Sequence, residues 1–532
     1  MKKLEQIDCL LIHTPKLNNF YSLYGNFMFV MYISYGLFSL SSFLNKNGIS
    51  SRILHLGVEY IKEGKIDLNK YIPKNKHIIV GLSLHWNHQS YDVIEVARKI
   101  KSINKNVYIV LGGMTASIFD VEILEEFPFV DGIIRGDGEV PLLKLFDFKN
   151  QSDKNLVPNL TWRKDNEIIR NSLDYVSTSD DLNKYDFAAI DNLIDYDVYR
   201  DRILHIFHCK DIPFFMAKNL IGKDYMFFPL LVVKGCTAEC SYCGGSYSSQ
   251  LKISGRKHII YQSPEKVLEA IKKLKTFGFN GVYIIFDPVY GQHDYFYELF
   301  AFISKNKLKI ACGFTLHSLP ENEFLKLFKD TFCSEKGSFL EITIESHDEI
   351  VRKKNKSFFY SNDEFFDFLS RCDSYNIPLK VFLSIGMPFQ NHNEEYSKAN
   401  NAFERKIKSF KNAIKVSYSV VDIDPYSPAY LNPEKFNLEL KKNKFTDYYA
   451  HHKISHKRNF PAAGFSDITQ IVLGDGFCFN EEKLIDIKCE YSCQLNILLR
   501  RMHIRLPSFI YKKICKIISF FWRFSKKIEV KI

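Results

Sequence analysis

The chain reads as an α/β protein: an N-terminal doubly wound, Rossmann-like domain, then a partial (β/α)6 barrel, then a mainly helical C-terminal region. Three observations predict this. Over the opening third, short β-rich runs alternate with helical periods, the pattern of parallel strands joined by crossover helices. A polar stretch near Lys149 breaks that pattern, and from Leu230 the alternation resumes for six more units. At 532 residues the chain is also too long for one ordinary core.

Taken in order, residues 1–149 carry expected strands over 8–13, 51–54, 77–83, 107–111 and 130–134. Between them, expected helices cover 28–45, 91–103, 121–126 and 140–146. Ligands of doubly wound sheets sit beyond the carboxyl ends of the strands, where Thr14, Ser83, Gly112, Gly113, Gly136 and Gly138 fall. Residues 150–228 read as a linker, with a hairpin over 160–170 followed by an irregular connector. Residues 229–437 read as the barrel, with strands near 230–234, 282–287, 309–315, 339–345, 379–386 and 415–422. Such barrels carry their chemistry on the loops after the strands. Residues 438–532 form the remaining, less periodic region.

Composition narrows the function classes. With 46% hydrophobic and 25% charged residues, neither wholesale disorder nor a polytopic membrane protein is indicated. The net charge of +11 is not a nucleic-acid signal, because residues 500–532 hold ten Lys and Arg against the single acid Glu529 and so supply +9 of it. In that tail Ile510, Ile514, Ile517, Phe521, Phe524 and Ile528 recur at helical spacing, with Lys512, Lys513, Lys516, Arg523, Lys526 and Lys527 on the other face. This basic amphipathic helix fits peripheral contact with an anionic membrane through Trp522, and fits equally well the docking of its apolar stripe on the preceding domain. The uncharged stretch 20–44 contains Tyr, Ser, Asn and two Gly and reads as a buried first helix. Twelve mostly scattered cysteines without a secretory signal indicate a reducing, cytoplasmic setting. Cys478, Cys489 and Cys493 read as structural thiols.

One cysteine set stands apart. Cys236, Cys240 and Cys243 follow the first expected barrel strand, spaced by three and then two residues, with Gly244 and Gly245 after them. Three thiolates at this spacing can hold three corners of an iron–sulfur cube and leave one iron open to a small molecule. A zinc site or a grouping of structural cysteines is the other reading; zinc would want a fourth ligand nearby, and the next histidine is His258.

With Tyr242 before its last cysteine, this CxxxCxxC segment resembles the radical S-adenosylmethionine (SAM) superfamily. The resemblance implies a 4Fe-4S cluster on the three cysteines, SAM on the open iron, and an electron donor such as flavodoxin or ferredoxin. It also implies SAM-binding roles for Tyr242, Asp287, Glu345, Ser346, Arg352 and Ser384. The family's Gly-Gly-Glu-like motif lacks its glycines here, where Phe286, Asp287 and Pro288 stand. Arg352 would fork onto the SAM carboxylate.

Leu111–Ser117 and Arg135–Pro141 resemble the cobalamin-binding domain that precedes the radical SAM core in one subfamily. By that resemblance Thr14, Ser83, His85, Gly112, Gly113, Thr115, Gly136, Gly138 and Glu139 would face cobalamin. The DxHxxG segment that places a histidine on cobalt is missing; His85 is placed where it can approach the corrin, and many relatives leave cobalt without a protein ligand. The implied activity is a cobalamin-dependent radical SAM methylation of an unactivated carbon in a small-molecule, lipid or peptide substrate. Two enzyme alternatives are a radical SAM enzyme without cobalamin and a non-methylating rearrangement. The alternative of another class is a zinc-binding scaffold or membrane-associated binding module. No catalytic acid or base is assigned.

Overall fold

The computed structural model describes residues 7–18, 22–23, 31–147, 154–165, 167–204, 226–284, 294–333, 337–391 and 393–457. The expected tail helix, the thiols of Cys478, Cys489 and Cys493, and Asp287 with Phe286 and Pro288 lie outside the described residues.

The front sheet is built from β1 (Cys9–His13), β2 (Ser51–His55), β3 (Ile79–Ser83), β4 (Tyr108–Gly112) and β5 (Gly132–Ile134), all parallel, in the order β2-β1-β3-β4-β5. All five residues of β1 and of β3 are buried, as expected of central strands covered on both faces by helices. The order reverses between β1 and β3, which makes the carboxyl ends of these two strands the switch-point crevice. Helix α1 (Tyr35–Lys46) begins at Tyr35, later than the periodicity suggested, and buries Leu37, Phe38 and Leu44.

The hairpin assigned to the linker belongs to this sheet. Its strands β6 (Leu160–Lys164) and β7 (Glu167–Arg170) extend the sheet antiparallel beyond β5. The reason is apolar: Leu160 and Trp162 are buried, and the chain beyond the hairpin sinks Tyr185, Phe187, Ala188 and Ile190 into the core. A solvated connector would leave these side chains in water.

The barrel is a six-stranded parallel sheet of β8 (Phe227–Pro229), β11 (Gly281–Ile284), β12 (Ala311–Leu316), β13 (Phe339–Glu345), β14 (Leu379–Ile385) and β15 (Ala413–Val420), paired in that order. Its first strand lies earlier than expected. The segment ahead of the cysteines divides: β8 joins the barrel, while β9 (Val233–Lys234) pairs antiparallel with β10 (Ile260–Tyr261) in a separate ribbon. The cysteine loop therefore leaves from this ribbon and not directly from a barrel strand.

Front sheet and barrel share one hydrophobic core, in which Leu37 and Phe38 of α1 pack with Phe228, Leu230 and Val282. The Phe38 and Phe228 rings are 5.7 Å apart. Beyond the barrel, the helix Phe445–Lys457 returns to the front domain: the Phe445 N–H donates to Glu122 at 2.9 Å and the Tyr449 hydroxyl to Glu95 at 2.6 Å. Among the described residues, no helix is long and apolar enough to cross a membrane.

A buried imidazole, His55, and two half-buried ones, His85 and His317, accompany this packing. His55 accepts the Gly57 and Val58 N–H groups at Nδ1 and so caps the helix Leu56–Glu63, while Nε2 bonds the Met31 carbonyl at 2.7 Å. Burial lowers His55 and His85 to about 4 and, with help from Lys356, His317 to about 3. An unfolded chain takes up protons on these groups below about pH 6.5 while the folded chain does not, so acidification favours unfolding. The thermal unfolding midpoint is expected to fall steadily from pH 6.5 to 5; a flat or rising midpoint over that window would contradict the burial of these rings.

Candidate active site

The cysteine loop is irregular chain held from several sides. Gly235 leaves β9 with φ 105°, and the next helix, Tyr247–Ser254, is capped by the Ser246 hydroxyl, which accepts the Ser249 N–H. Between them the Ser241 N–H donates to the Asn355 carbonyl at 2.8 Å, and the Ser241 hydroxyl to Asn355 Oδ1 at 2.5 Å. On another side the Ala429 N–H donates to the Ser241 carbonyl at 2.8 Å, and the Gly244 N–H to Asp424 at 3.0 Å. These bonds satisfy backbone groups that no helix or sheet serves.

Cys236, Cys240 and Cys243 lie in one apolar cluster with Ala238, Tyr242 and Phe358. Each sulfur has an N–H aimed at it: Ala238 to Cys236 at 3.4 Å, Gly245 to Cys243 at 3.3 Å, and Ser357 to Cys240. Burial raises the thiol of Cys240 against the opposing pull of Lys356. Burial and then the Asp424 carboxylate raise that of Cys243, to which Cys240 and Cys236 also contribute. The three sulfurs are thus within electrostatic reach of one another. Among the described residues, no three His, Cys, Asp or Glu side chains converge as ligands of a single ion. The donor set suits an iron–sulfur cluster, which wants soft thiolate ligands with N–H bonds to sulfur.

Beside the thiols lies a carboxylate held at both oxygens. Glu345 ends β13 at φ 70°, where the register with β14 shifts. Its Oε1 accepts from the Tyr242 hydroxyl at 2.9 Å, and its Oε2 accepts from the Ser384 hydroxyl. Lys356 sits 3.9 Å from Oε1 and donates to the Thr343 carbonyl. Burial, and then the Glu345 charge, push the Tyr242 phenol above its ordinary value, which keeps it a donor. A non-glycine residue in left-handed backbone at a strand end stores strain, a feature typical of functional positions.

Of the residues expected to bind SAM, Tyr242, Glu345 and Ser384 come together here, with Ser346 next in the chain. Arg352 goes elsewhere. It is 1% exposed, and its guanidinium donates to the Ser346 carbonyl at 2.7 Å, Asn362 at 2.7 Å and the Tyr360 carbonyl at 2.9 Å. With both terminal nitrogens committed inward it steadies the strand end and offers no fork to a ligand carboxylate. The sequence reading missed Lys356, which lies in a basic run that looks like a solvated surface. One helical turn separates Arg352 from Lys356, so both point inward while Lys353 and Lys354 stay exposed. It also missed His317, whose ring stacks 5.6 Å from Phe358 and bonds Thr343 at 3.0 Å.

In the front domain Thr14, Ser83 and Gly112 end neighbouring strands at the crevice. Thr14 is fully buried, and its hydroxyl has no partner among the described residues. Ser83 shares a hydrogen bond of 2.9 Å with Ser34, the residue before α1. An orphaned hydroxyl at the switch point fits a ligand with polar groups on its rim. His85 lies edge-on to Trp86 at 4.5 Å and is neutral.

The glycine-rich turns serve partly another purpose. Gly113 has φ 104°, and a Cβ there would meet the His85 backbone at 2.8 Å, while the Thr115 hydroxyl donates to the His85 carbonyl at 3.0 Å. Gly113 and Thr115 therefore fasten the His85 turn. Gly136 has φ 65°, and a Cβ would collide with Ser254 of the barrel domain at 2.8 Å. Gly138 lies beside Leu40, and Glu139, 2% exposed, bonds Ser39 at 2.8 Å and Lys234 at 3.2 Å. Gly136 and Glu139 thus touch the barrel domain in place of an open corrin face.

Residues 31–146 match the B12 binding domain family and residues 230–398 the Radical SAM superfamily. An uncharacterized methyltransferase of Pyrococcus horikoshii is 35% identical over 81 residues, 15% of this chain and 17% of that protein. The anaerobic magnesium-protoporphyrin IX monomethyl ester cyclase of Synechocystis sp. is 26% identical over 140 residues, 26% of this chain and 23% of that protein. The matches thus span less than a quarter of these relatives' lengths. In fold, the chain is similar to the radical SAM methyltransferase TsrM from Kitasatospora setae, with a TM-score of 0.55 at 16% identity over 80% of this chain and 75% of that one. It is similarly close to the cobalamin-dependent SAM radical enzyme OxsB, with a TM-score of 0.54 at 14% identity over 98% and 72%.

The Lys356 ammonium opposes burial at Cys240, so replacing it should leave that thiol harder to ionise. In apo-protein kept anaerobic, Lys356→Met is expected to slow iodoacetamide labelling of Cys240, read by peptide mass spectrometry. Unchanged labelling would remove Lys356 from the site.

Proposed function

From a chain in which a B12 binding domain leads into a radical SAM domain, we propose a cobalamin-dependent radical SAM enzyme, most simply a methyltransferase acting on a small molecule. The observation that carries this reading is the apolar cluster of three N–H-supported thiols beside the Tyr242–Glu345–Ser384 network. Once bound, a 4Fe-4S cluster with SAM would supply one-electron cleavage of SAM, and cobalamin would supply a methyl carrier. Cys236, Cys240 and Cys243 would hold the cluster, and Thr14, Ser83 and Gly112, at the ends of neighbouring strands, would face cobalamin.

The chain's own residues prepare the site. Two hydroxyl donors orient the Glu345 carboxylate, so its remaining lone pairs can accept from the amine or ribose hydroxyls of SAM without reorganising. Lys356 balances that charge against burial. Phe358, Ala238 and the Tyr242 ring set apolar surface beside the sulfurs, and Cys240 among them is buried. Reduction requires an external one-electron donor of the flavodoxin or ferredoxin type. Asp287 remains a proposed contact for the SAM amine.

Anaerobic reconstitution with iron, sulfide and hydroxocobalamin tests the reading. Wild-type protein should show cluster and corrin absorbance, and with dithionite and SAM should form 5'-deoxyadenosine. Cys240→Ala should lose cluster absorbance and SAM cleavage together while retaining corrin absorbance. Stoichiometric zinc with no SAM cleavage would overturn the proposal in favour of a scaffold. The Synechocystis relative is named a cyclase, which supports a second reading of non-methylating ring chemistry; S-adenosylhomocysteine among the products separates methyl transfer from it.

A further inference from the structure

The turn from Gly136 to Glu139 leaves the carboxyl end of β5, on the ligand side of the front sheet, yet its side chains reach into the other domain. Asp137 Oδ1 and Glu139 Oε1 each lie 3.2 Å from the Lys234 ammonium, and Lys234 is separated from Cys236 only by Gly235. Asp137 Oδ2 accepts from Arg256 and from the Ser177 N–H and hydroxyl, at 2.9 and 2.8 Å. The Gly136 backbone is packed against Ser254, the last residue of the helix that follows the cysteines. One turn of the front domain therefore grips the chain both before Cys236 and after Cys243.

The grip is ionic and largely shielded from water. Two cations meet two carboxylates; the side chains of Lys234, Asp137 and Glu139 are 18%, 11% and 2% exposed. Burial opposes the charge on Lys234, but Asp137 and Glu139 outweigh it and raise its pKa; Lys234 and Arg256 hold Asp137 well below the usual carboxylate range despite burial. Apolar contacts between the domains are non-directional and tolerate small slides, whereas hydrogen-bonded ion pairs in a dry site do not. Glu139 also accepts the Ser39 hydroxyl of α1, the helix whose preceding residue Ser34 bonds Ser83 at the crevice. The same joint is thus fastened to the edge of the front-domain ligand site.

We infer that Lys234, Asp137 and Glu139 are positioning residues: their joint clamps the two ends of the cysteine loop to the front sheet and sets the separation between the ligand of that sheet and the cluster. This rests on the two-cofactor reading above. The test compares wild type with Lys234→Met, Asp137→Asn and Lys234→Arg. In dithionite-reduced protein holding cluster and cob(II)alamin, pulsed dipolar EPR reads the separation of the two spins. Wild type and Lys234→Arg should give one narrow distance, and Lys234→Met and Asp137→Asn a broadened or shifted one, with the singly loaded spectra unchanged. In apo-protein, amide hydrogen exchange over residues 235–246 should be about tenfold faster in Lys234→Met and Asp137→Asn than in wild type. Absence of either cofactor signal in wild type would count against the proposed function, and the exchange arm would then decide the clamp alone. An unchanged distance, or unchanged exchange in variants whose unfolding midpoint shows them folded, would overturn it.

Discussion

The candidate site depends on folding an irregular, thiol-bearing loop against the domain without leaving its backbone unsatisfied. A buried peptide group without a hydrogen bond costs about 1–3 kcal/mol, and neither helix nor sheet serves this loop. The solution is borrowed partners: Asn355 and Ser357 from the segment after β13, Asp424 and Ala429 from beyond β15, each bonded to loop groups. The loop is consequently defined by chain more than a hundred residues away. Its sulfurs receive N–H groups as part of the same arrangement.

Asp424 illustrates how that burial has consequences. Burial, with Asp422 nearby, lifts its carboxyl to about 6 even though the Gly244 N–H bonds it. Its charge in turn raises the Cys243 thiol. Thiols raised in this way are poor free nucleophiles and become thiolates chiefly when metal displaces the proton, which couples assembly of a site to its loading.

The two halves of the chain make one body through contacts of different kinds. Apolar packing of α1 against the barrel supplies a shared core, and the returning helix Phe445–Lys457 adds an aromatic seam in which Phe445 packs near Phe119 and Phe127, with ring centroids 5.9 Å apart in each case. The ionic joint at Lys234 supplies direction. A glycine turn that looks like a ligand cradle is in large part a docking surface, because Gly136 must let the Ser254 backbone approach.

Local chemistry made much of this legible in the amino-acid order. Periodicity placed both parallel sheets, since strand alternation and helical spacing are short-range properties, and the cysteine spacing marked the loop that carries the sulfurs. The family resemblance named Tyr242, Glu345 and Ser384, but only the fold brings the Tyr242 and Ser384 hydroxyls onto the Glu345 carboxylate. Partners distant in sequence were not. Whether Lys356 faced water or Glu345, whether Arg352 was free or committed, whether the hairpin 160–170 joined a sheet, and whether Glu139 met a ligand or Lys234 were decided by tertiary structure. Each turns on which surface packs against which, and a buried charge takes its meaning only from the neighbour that packing brings to it.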